Sequence, residues 1–410
     1  MKAKTLESVM YRRSIHWTVC FVVAMVFSST FSMAADWYVT PRFELDERYD
    51  SNILVTKDDK KDDFITYVRP KVEAGYRTER FQSAFNTYAE YQKFIKEDEL
   101  DTIHHDHRLS LGYALLQTLN LRASGFFRVD TTLDTELLEE GRLARREDRQ
   151  RFGGTAGLDY VFSPVFLCAF DVGRDYTRYP DDPVDTADYW SDSVTLVPQY
   201  ILNPKTSFFV SLGYYKTKYD NLESDFFVLV DRRIETFNIM PYVTYRFTED
   251  FNAKVGAGYR YTQTEGKSVS KIPFFPDENQ DGDSSGFIAN LVFHKDWQQS
   301  FMELDLSRDQ YSSLEGDSLE RDRASLRGSY TWSERFRTHA SLDYVRATSD
   351  EGGDDSSYIY VTPSMDFRWT REVTLRGFFN YTYYDETDST DRYEAGLKLI
   401  VAWERLFSGH

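Results

Sequence analysis

Residues 104–107 of this chain, His-His-Asp-His, have side-chain types that bind zinc. Side chains in an extended strand alternate between two faces, so His105 and His107 would share one face. His104 and Asp106 would share the other. At most two ligands then converge, which is too few for a structural zinc site. We therefore expect a polar cluster at the outer rim of the fold.

A second candidate site for chemistry is a polar segment with the oxygen-rich spacing of a calcium loop. Its members are Asp277, Asn279, Asp281, Gly282 and Asp283. The twelfth position is Ile288 instead of Glu, and no helical pattern flanks the segment, which excludes an EF-hand. A bound calcium ion and a plain solvated turn both remain open. The sequence indicates no other cofactor.

Hydrolytic chemistry would need a base within reach of a nucleophile or a water molecule. Outside the 104–107 cluster and the two ends of the chain, the histidines are His294 and His339. Neither has a recognisable Ser or Asp grouping beside it in sequence. We predict that the protein is not an enzyme.

Composition narrows the fold class. The 410 residues include 29 Tyr, 31 Phe and 7 Trp but only 2 Cys, which is typical of β structure in an oxidising compartment. Asp and Glu number 67 against 49 Lys and Arg. A nucleic-acid partner is excluded, because such an acidic chain cannot neutralise phosphates.

The N-terminal segment has the pattern of a secretory signal peptide. Basic residues at Lys2, Lys4, Arg12 and Arg13 precede an apolar run over residues 19–27, which is about half of a membrane-spanning length. Ser32 and Ala34 supply the small residues of a cleavage site. We predict that residues 1–34 are removed on export and that residues 35–410 form one domain.

That domain repeats one pattern, an alternating apolar and polar stretch of about ten residues, which indicates a transmembrane β-barrel. Short breaks alternate with long polar segments along the chain. The short breaks lie near Arg80, Asn120, Pro164, Pro204, Glu249, Gln298, Glu334 and Arg371. This count predicts an all-β, antiparallel up-and-down barrel of 18 strands, with 16 as the alternative, in the outer membrane. Because Trp37 follows the cleavage site closely, we expect no plug domain.

Aromatic residues are expected at both rims of such a barrel. Beside the short breaks lie Tyr76, Phe81, Phe162, Phe166, Tyr200, Phe208, Phe247, Phe251, Trp332 and Phe336. At the opposite ends lie Tyr91, Trp190, Tyr214, Tyr261, Tyr344, Tyr358 and Tyr393. Rings at both ends of successive strands favour a membrane barrel over a soluble sandwich or propeller. Among the long segments, Thr264–Ser284 is a candidate for a loop that folds inward as a constriction.

Charged residues on the polar faces are candidates for the lumen lining of a wide barrel. They are Arg69, Lys71, Glu73, Arg108, Arg122, Arg128, Asp159, Arg174, Lys254, Arg260, Glu303, Asp305, Arg323, Arg327, Arg335, Arg337, Arg376 and Lys398. One interpretation is cross-strand ion pairing along a wet wall. The other is an electropositive lane that guides anionic solutes.

The segment Tyr49-Asp50-Ser51-Asn52-Ile53, after the first strand, together with the overall build, resembles the outer-membrane β-barrel porin family associated with exopolysaccharide biosynthesis and export gene clusters. The resemblance implies a barrel that assists polysaccharide export beside a periplasmic polysaccharide-export protein. The last strand, ending near Phe407, resembles the aromatic signal that barrel-assembly machinery recognises. No residue-level function follows from the family, which offers no catalytic motif.

Three functional hypotheses follow from these patterns. The first is an outer-membrane channel, surrounded by lipid, that assists exopolysaccharide export. The second is a general diffusion porin for small anionic or neutral solutes. The third is a surface scaffold or adhesin that uses its acidic loops.

Overall fold

The computed structural model describes most of the chain after residue 34. The described residues are 35–133, 146–180, 187–220, 222–223, 227–270, 278–279, 281–312, 318–349, 355–386, 389–403 and 407–409. The predicted signal peptide and Asp277 of the candidate calcium loop lie outside them. No helix among the described residues is long and apolar enough to span a membrane.

Eighteen long strands form the wall. They are β1 Asp36–Asp50, β2 Asp63–Arg77, β3 Phe81–Phe94, β4 Thr102–Leu116, β5 Leu119–Thr131, β6 Asp148–Ser163, β7 Phe166–Arg178, β8 Tyr189–Asn203, β9 Thr206–Tyr219, β10 Phe227–Thr248, β11 Phe251–Ser270, β12 Gly282–Asp296, β13 Ser300–Ser312, β14 Ser318–Ser333, β15 Phe336–Ser349, β16 Ser356–Arg368, β17 Val373–Asp385 and β18 Thr390–Ala402. Short strands at Leu222–Glu223, Glu278–Asn279 and Phe407–Gly409, and a 3₁₀ turn at Asp98–Leu100, complete the described elements.

Each strand pairs antiparallel with its neighbours in sequence, and the wall closes where β1 pairs with both β2 and β18. This closing seam continues below β18, because Phe407–Gly409 pairs with the beginning of β1. The prediction of a closed 18-stranded antiparallel barrel is confirmed. The described residues all belong to this barrel and its connections, and they contain no plug.

Strict alternation explains why these segments form a membrane wall. On β2, for example, Phe64 and Val72 are exposed on the outward face, whereas Ile65 and Tyr67 are buried on the inward face. Outward-facing rings follow both rims. Near the short turns, the Phe247 and Phe251 centroids lie 4.6 Å apart.

One ring of the predicted outer rim points into the barrel. Tyr358 is only 1 % exposed and packs with Val345 and Tyr384 on the inward face. Its neighbour Ile359 is the outward residue. Tyr358 therefore lies at the predicted outer end of its strand but faces the lumen and not the lipid.

The connections differ sharply between the two ends of the barrel. At one end, tight turns join consecutive strands, as between β2 and β3. Longer connections join the strands at the other end, which we take as the external side. The described parts of Thr264–Ser284 extend the wall, since β11 continues to Ser270 and Thr264 pairs with Gly282; residues 271–277 and 280 lie outside the described ranges, so a constriction there stays a prediction. Residues 51–62 are a described segment that packs inward, as set out below.

Candidate functional site

The lumen divides into two halves along the barrel axis. In the outer half, beside the long connections, inward side chains such as Ile65 and Tyr219 are buried by other parts of the chain. In the inner half, beside the tight turns, inward arginines remain in contact with solvent. The side chains of Arg122 and Arg327 are 45 % and 52 % exposed. The inner half is therefore a wet vestibule beneath a packed outer half.

Most of the predicted lumen residues lie on inward faces. These are Arg69, Lys71, Glu73, Arg108, Arg122, Arg128, Asp159, Lys254, Arg260, Glu303, Asp305, Arg323, Arg327, Arg337, Arg376 and Lys398. Two assignments are wrong. Arg335 lies in the tight turn between β14 and β15. Arg174 shares the outward face of β7 with Val172, and its side chain is 71 % exposed.

Carboxylates on neighbouring strands pair with many of these basic groups. Arg327 contacts Glu303 at 3.2 Å, and Arg376 donates to Asp366 at 2.6 Å. Arg122 bridges two strands, with Asp159 at 2.9 Å and Asp171 at 3.1 Å. This geometry favours cross-strand ion pairing over an uncompensated electropositive lane. The vestibule wall thus offers both signs of charge at short spacing.

Ion pairs also concentrate beside the closing seam. The buried carboxylate of Glu44 on β1 accepts contacts at 2.9 Å from both Arg69 and Lys71 on β2. On the other side of β1, Lys398 of β18 reaches Asp46 at 3.2 Å. Each of these contacts joins β1 to an adjacent strand, so the pairs reinforce the hydrogen-bonded ladder.

The motif that carried the family resemblance lies at the outer end of this seam. Asp50 is completely buried and accepts hydrogen bonds from Arg392 of β18, at 2.9 Å from Nε and 2.5 Å from Nη2. Its other oxygen accepts the backbone N–H of Asn52 at 2.9 Å. The backbone N–H of Ser51 donates to the carbonyl oxygen of Tyr393, and the backbone N–H of Tyr393 donates to Ser51 Oγ. The motif therefore fastens the first strand to the last.

The same motif directs the following connection into the barrel. Asn52 is also completely buried, and its Nδ2 donates to Thr390 Oγ1 at 3.2 Å. Ile53 then packs against the inward side chains of β2 and β3, namely Ile65, Tyr67 and Phe94. Residues 51–62 consequently cover the inner wall at the seam. At the solvent-exposed end of this connection, a hydrogen bond of 2.7 Å from Lys96 lowers the pKa of Asp62.

A second contact packs the outer half from the opposite wall. The described ladder between β12 and β13 ends at the pair Ala289 and Arg308. Beyond it, the β13–β14 hairpin meets the inward face of β11, where Arg260 Nη2 contacts Glu320 Oε2 at 3.3 Å and Thr262 hydrogen-bonds Gln310. This hairpin leans over the lumen instead of continuing the cylinder.

The histidines are divided between the two faces of the wall. His104 hydrogen-bonds Gln92 on the inward side at 3.0 Å, whereas the rings of His105 and His107 stack on the outward side, 6.1 Å apart. His339 has an acidic neighbour from another strand, since its Nε2 lies 3.4 Å from Asp366. That carboxylate is shared with Arg376, so the group is part of an ion-paired wall.

No group of three or more His, Cys, Asp or Glu side chains within the described ranges is arranged to hold a metal ion. In the candidate calcium segment, Asn279 lies in a short strand paired with Lys267, and Asp281 accepts the Gly266 N–H at 3.4 Å. Asp283 continues into β12. Calcium binding here stays a prediction.

An aromatic pair in the lumen was not predicted from the sequence. Phe209 of β9 and Tyr242 of β10 pair in register and stack with centroids 4.5 Å apart and planes 11° from parallel. Gly256, opposite Tyr242 on β11, leaves room for the ring, because a Cβ atom there would lie 2.4 Å from ring carbons. The signal was present: both aromatics occupy the polar phase of an alternating strand.

The family model described as "Putative beta-barrel porin 2" matches residues 33–272. No curated protein matches the chain. One similar solved structure is that of OpdK from Pseudomonas aeruginosa with vanillate. Its sequence is 12 % identical, the match covers 89 % of this chain and 99 % of OpdK, and the TM-score is 0.47. Another is OccAB4 of Acinetobacter baumannii, at 11 % identity over 90 % and 98 %, with a TM-score of 0.45.

Proposed function

Because this chain belongs to the "Putative beta-barrel porin 2" family of outer-membrane barrels, and its own structure is a closed barrel, we propose that it is a channel for polysaccharide export. The barrel surface meets membrane lipid along its outward apolar band. The transported material enters from the periplasmic vestibule and leaves through the outer half when that half opens.

The observation that carries this proposal is the difference between the two halves of the lumen. The inner half is open to solvent from the periplasmic mouth, whereas the outer half is packed by residues 51–62 and the β13–β14 hairpin. A general diffusion porin needs a continuous aqueous path at rest. A lumen whose described outer half is packed with side chains and whose inner half is accessible from the periplasm suits outward movement of a solute that is delivered on that side.

The vestibule wall supports the passage of a long polar chain. Paired charges such as Arg327 with Glu303 supply donors and acceptors at close intervals. Since the two signs compensate one another, no single site holds an anion tightly. Hydroxyl-rich polymers can exchange hydrogen bonds along such a wall without being trapped.

Export by this route needs partners on the periplasmic side. We propose that residues 1–34 direct secretion and are cleaved after Ala34, that barrel-assembly machinery inserts the chain, and that a periplasmic polysaccharide-export protein delivers the polymer. Capture of such a partner with the barrel after cross-linking is the measurement that checks the last step.

The test is the distribution of polysaccharide in a strain that lacks the gene. We expect extracellular polymer to fall and periplasmic polymer to rise, and both to recover when the barrel is supplied back. A strain supplied with the Asp192→Ala barrel, changed only on the outward face, serves as control. Normal extracellular polymer in the deletion strain would contradict export and leave the diffusion-porin alternative, which uptake rates of small solutes then test.

A further inference from the structure

A strip of five inward side chains crosses β9 to β13 in the inner half of the lumen. The strip consists of Phe209, Tyr242, Lys254, Asn290 and Asp305. We infer that this lumenal strip is a binding subsite for one or two sugar units of a saccharide chain. The inference deepens the proposed export function by naming the substrate class and the place where the chain is held.

The two rings form the apolar part of the strip. The rings stack nearly parallel, with 4.5 Å between centroids, and form one aromatic block across β9 and β10. Gly256 allows the Tyr242 ring to incline over β11. Aromatic surfaces of this kind pack against the C–H faces of pyranose rings, which are flat and weakly polar.

Polar groups flank the rings on the side of β11 to β13. The Lys254 ammonium lies 5.3 Å from the Tyr242 ring centroid. On the next two strands, Asn290 Nδ2 donates to Asp305 Oδ1 at 3.0 Å, and both residues are only partly buried. Carboxylate, amide and ammonium groups beside an aromatic surface are able to hydrogen-bond the hydroxyls around a sugar ring.

Hydroxyl and amide groups continue this pattern toward the periplasmic mouth. Ser207 and Thr244 hydrogen-bond one another at 2.5 Å, directly below the two rings, and Gln199 lies within 3.4 Å of Ser207. The strip and its lower border thus contain no net excess of charge. A neutral saccharide is favoured over an anionic aromatic solute, because Asp305 offsets the charge of Lys254.

The position of the strip also agrees with a loading site. Immediately above it, the inward residues Met240 and Ile288 are buried in the packed outer half. A saccharide chain that enters from the periplasm would therefore meet the rings at the base of the packed outer half. Binding there needs no opening of the outer half.

The experiment is isothermal titration of cellohexaose into the full-length mature barrel in detergent, with wild type, Tyr242→Ala and Asp305→Asn. We expect saturable binding to wild type, at least tenfold weaker binding to Tyr242→Ala, and a several-fold loss in Asp305→Asn. Sodium benzoate, an aromatic anion, serves as the competing probe. Tighter binding of benzoate than of cellohexaose would overturn the assignment to saccharides.

The matched control is Tyr38→Ala. Tyr38 is also an inward ring inclined over a glycine, Gly75, but it lies on β1, away from the lumenal strip, and its hydroxyl donates to Glu73 at 2.7 Å. We expect its cellohexaose affinity to stay within twofold of wild type. Equal losses in Tyr38→Ala and Tyr242→Ala, or unchanged binding in Tyr242→Ala, would overturn the proposal.

The titration and the export experiment can contradict the subsite and the export function independently of each other. A barrel that supports polysaccharide export but shows no difference between wild type and Tyr242→Ala refutes the subsite alone. A barrel that binds cellohexaose through Tyr242 while the deletion strain exports normally refutes the export function and leaves the subsite. Heat-induced mobility shifts on gels confirm that each variant is folded before titration.

Discussion

The outer and inner halves of the lumen are built from the same eighteen strands and the same alternation, yet their inward charges serve different ends. Asp50 and Arg392 in the outer half are withdrawn from solvent, whereas Arg122 and Arg327 in the inner half remain wet. A buried pair becomes very costly when one member is removed, but an exposed pair contributes little to stability. The buried charges of the outer half therefore hold β1 against β18. The exposed charges of the inner half instead set the electrostatic potential along the lumen.

The largest effect is expected at the closing seam. Asp50→Ala removes the carboxylate nearest to Arg392 in a buried site, which we expect to lower the free energy of unfolding by about 3 kcal/mol. The measurement is the temperature at which the folded band converts to the unfolded band on gels. Asp192→Ala, which breaks the exposed pair with Arg174 on the outward face, is the control and should leave that temperature unchanged. Equal transition temperatures for the two variants would contradict the contrast between buried and exposed pairs.

Next in size is the effect of opening the outer half. Ile53→Asp places a carboxylate in the apolar cluster with Ile65 and Phe94, where burial of an unpaired charge is unfavourable. We expect residues 51–62 to leave the lumen and the single-channel conductance in planar bilayers to rise several-fold. Asp59→Asn in the same connection keeps its exposed position and tolerated positive φ of 53°, and should conduct like wild type. Wild-type conductance in a folded Ile53→Asp barrel would show that this connection does not close the channel.

A smaller effect is expected in the vestibule. Arg122→Gln leaves Asp159 and Asp171 without their shared cation, so the local potential becomes more negative. In the conducting Ile53→Asp background, we expect the cation-to-anion permeability ratio to rise roughly twofold. Reversal potentials across a salt gradient measure this ratio. An unchanged ratio would indicate that Arg122 does not face the permeation path.

The smallest effect is expected from Arg174, which is also an arginine paired with an aspartate. Because its side chain lies on the outward face, Arg174→Gln in the Ile53→Asp background should leave the permeability ratio unchanged. The same reversal-potential measurement applies. A shift as large as that of Arg122→Gln would place both arginines along one electrostatic path and remove the distinction between the faces.

The sequence predicted strand number, strand order and most inward faces because alternation is a local property of about ten residues. It failed at Arg174 because β7 carries polar residues on both faces near its outer end, where the outward face also meets water. Tyr358 lies at the outer end of its strand, as expected, but faces inward and does not join the lipid-facing rings. Both cases occur where the membrane no longer requires an apolar outward side chain.

Long-range partners are the part of the site that sequence patterns could not supply. The segment at Asp50 was recognised as a motif, but its partner Arg392 is 342 residues away along the chain. Phe209 and Tyr242 likewise lie on different strands and meet only because β9 pairs with β10. Spacing along one strand contains no information on such pairs.

The fastening of β1 to β18 has a consequence for how the chain reaches its folded state. The ladder that encloses the lumen cannot form until nearly the whole polypeptide has been synthesised and secreted, since its two sides come from opposite ends. Until then, the edge of β1 exposes unpaired backbone groups that lipid cannot satisfy. A chain without β18 would leave the edge of β1 open over the registers that β18 now pairs. The seam therefore makes the presence of the last long strand a condition for closing the wall.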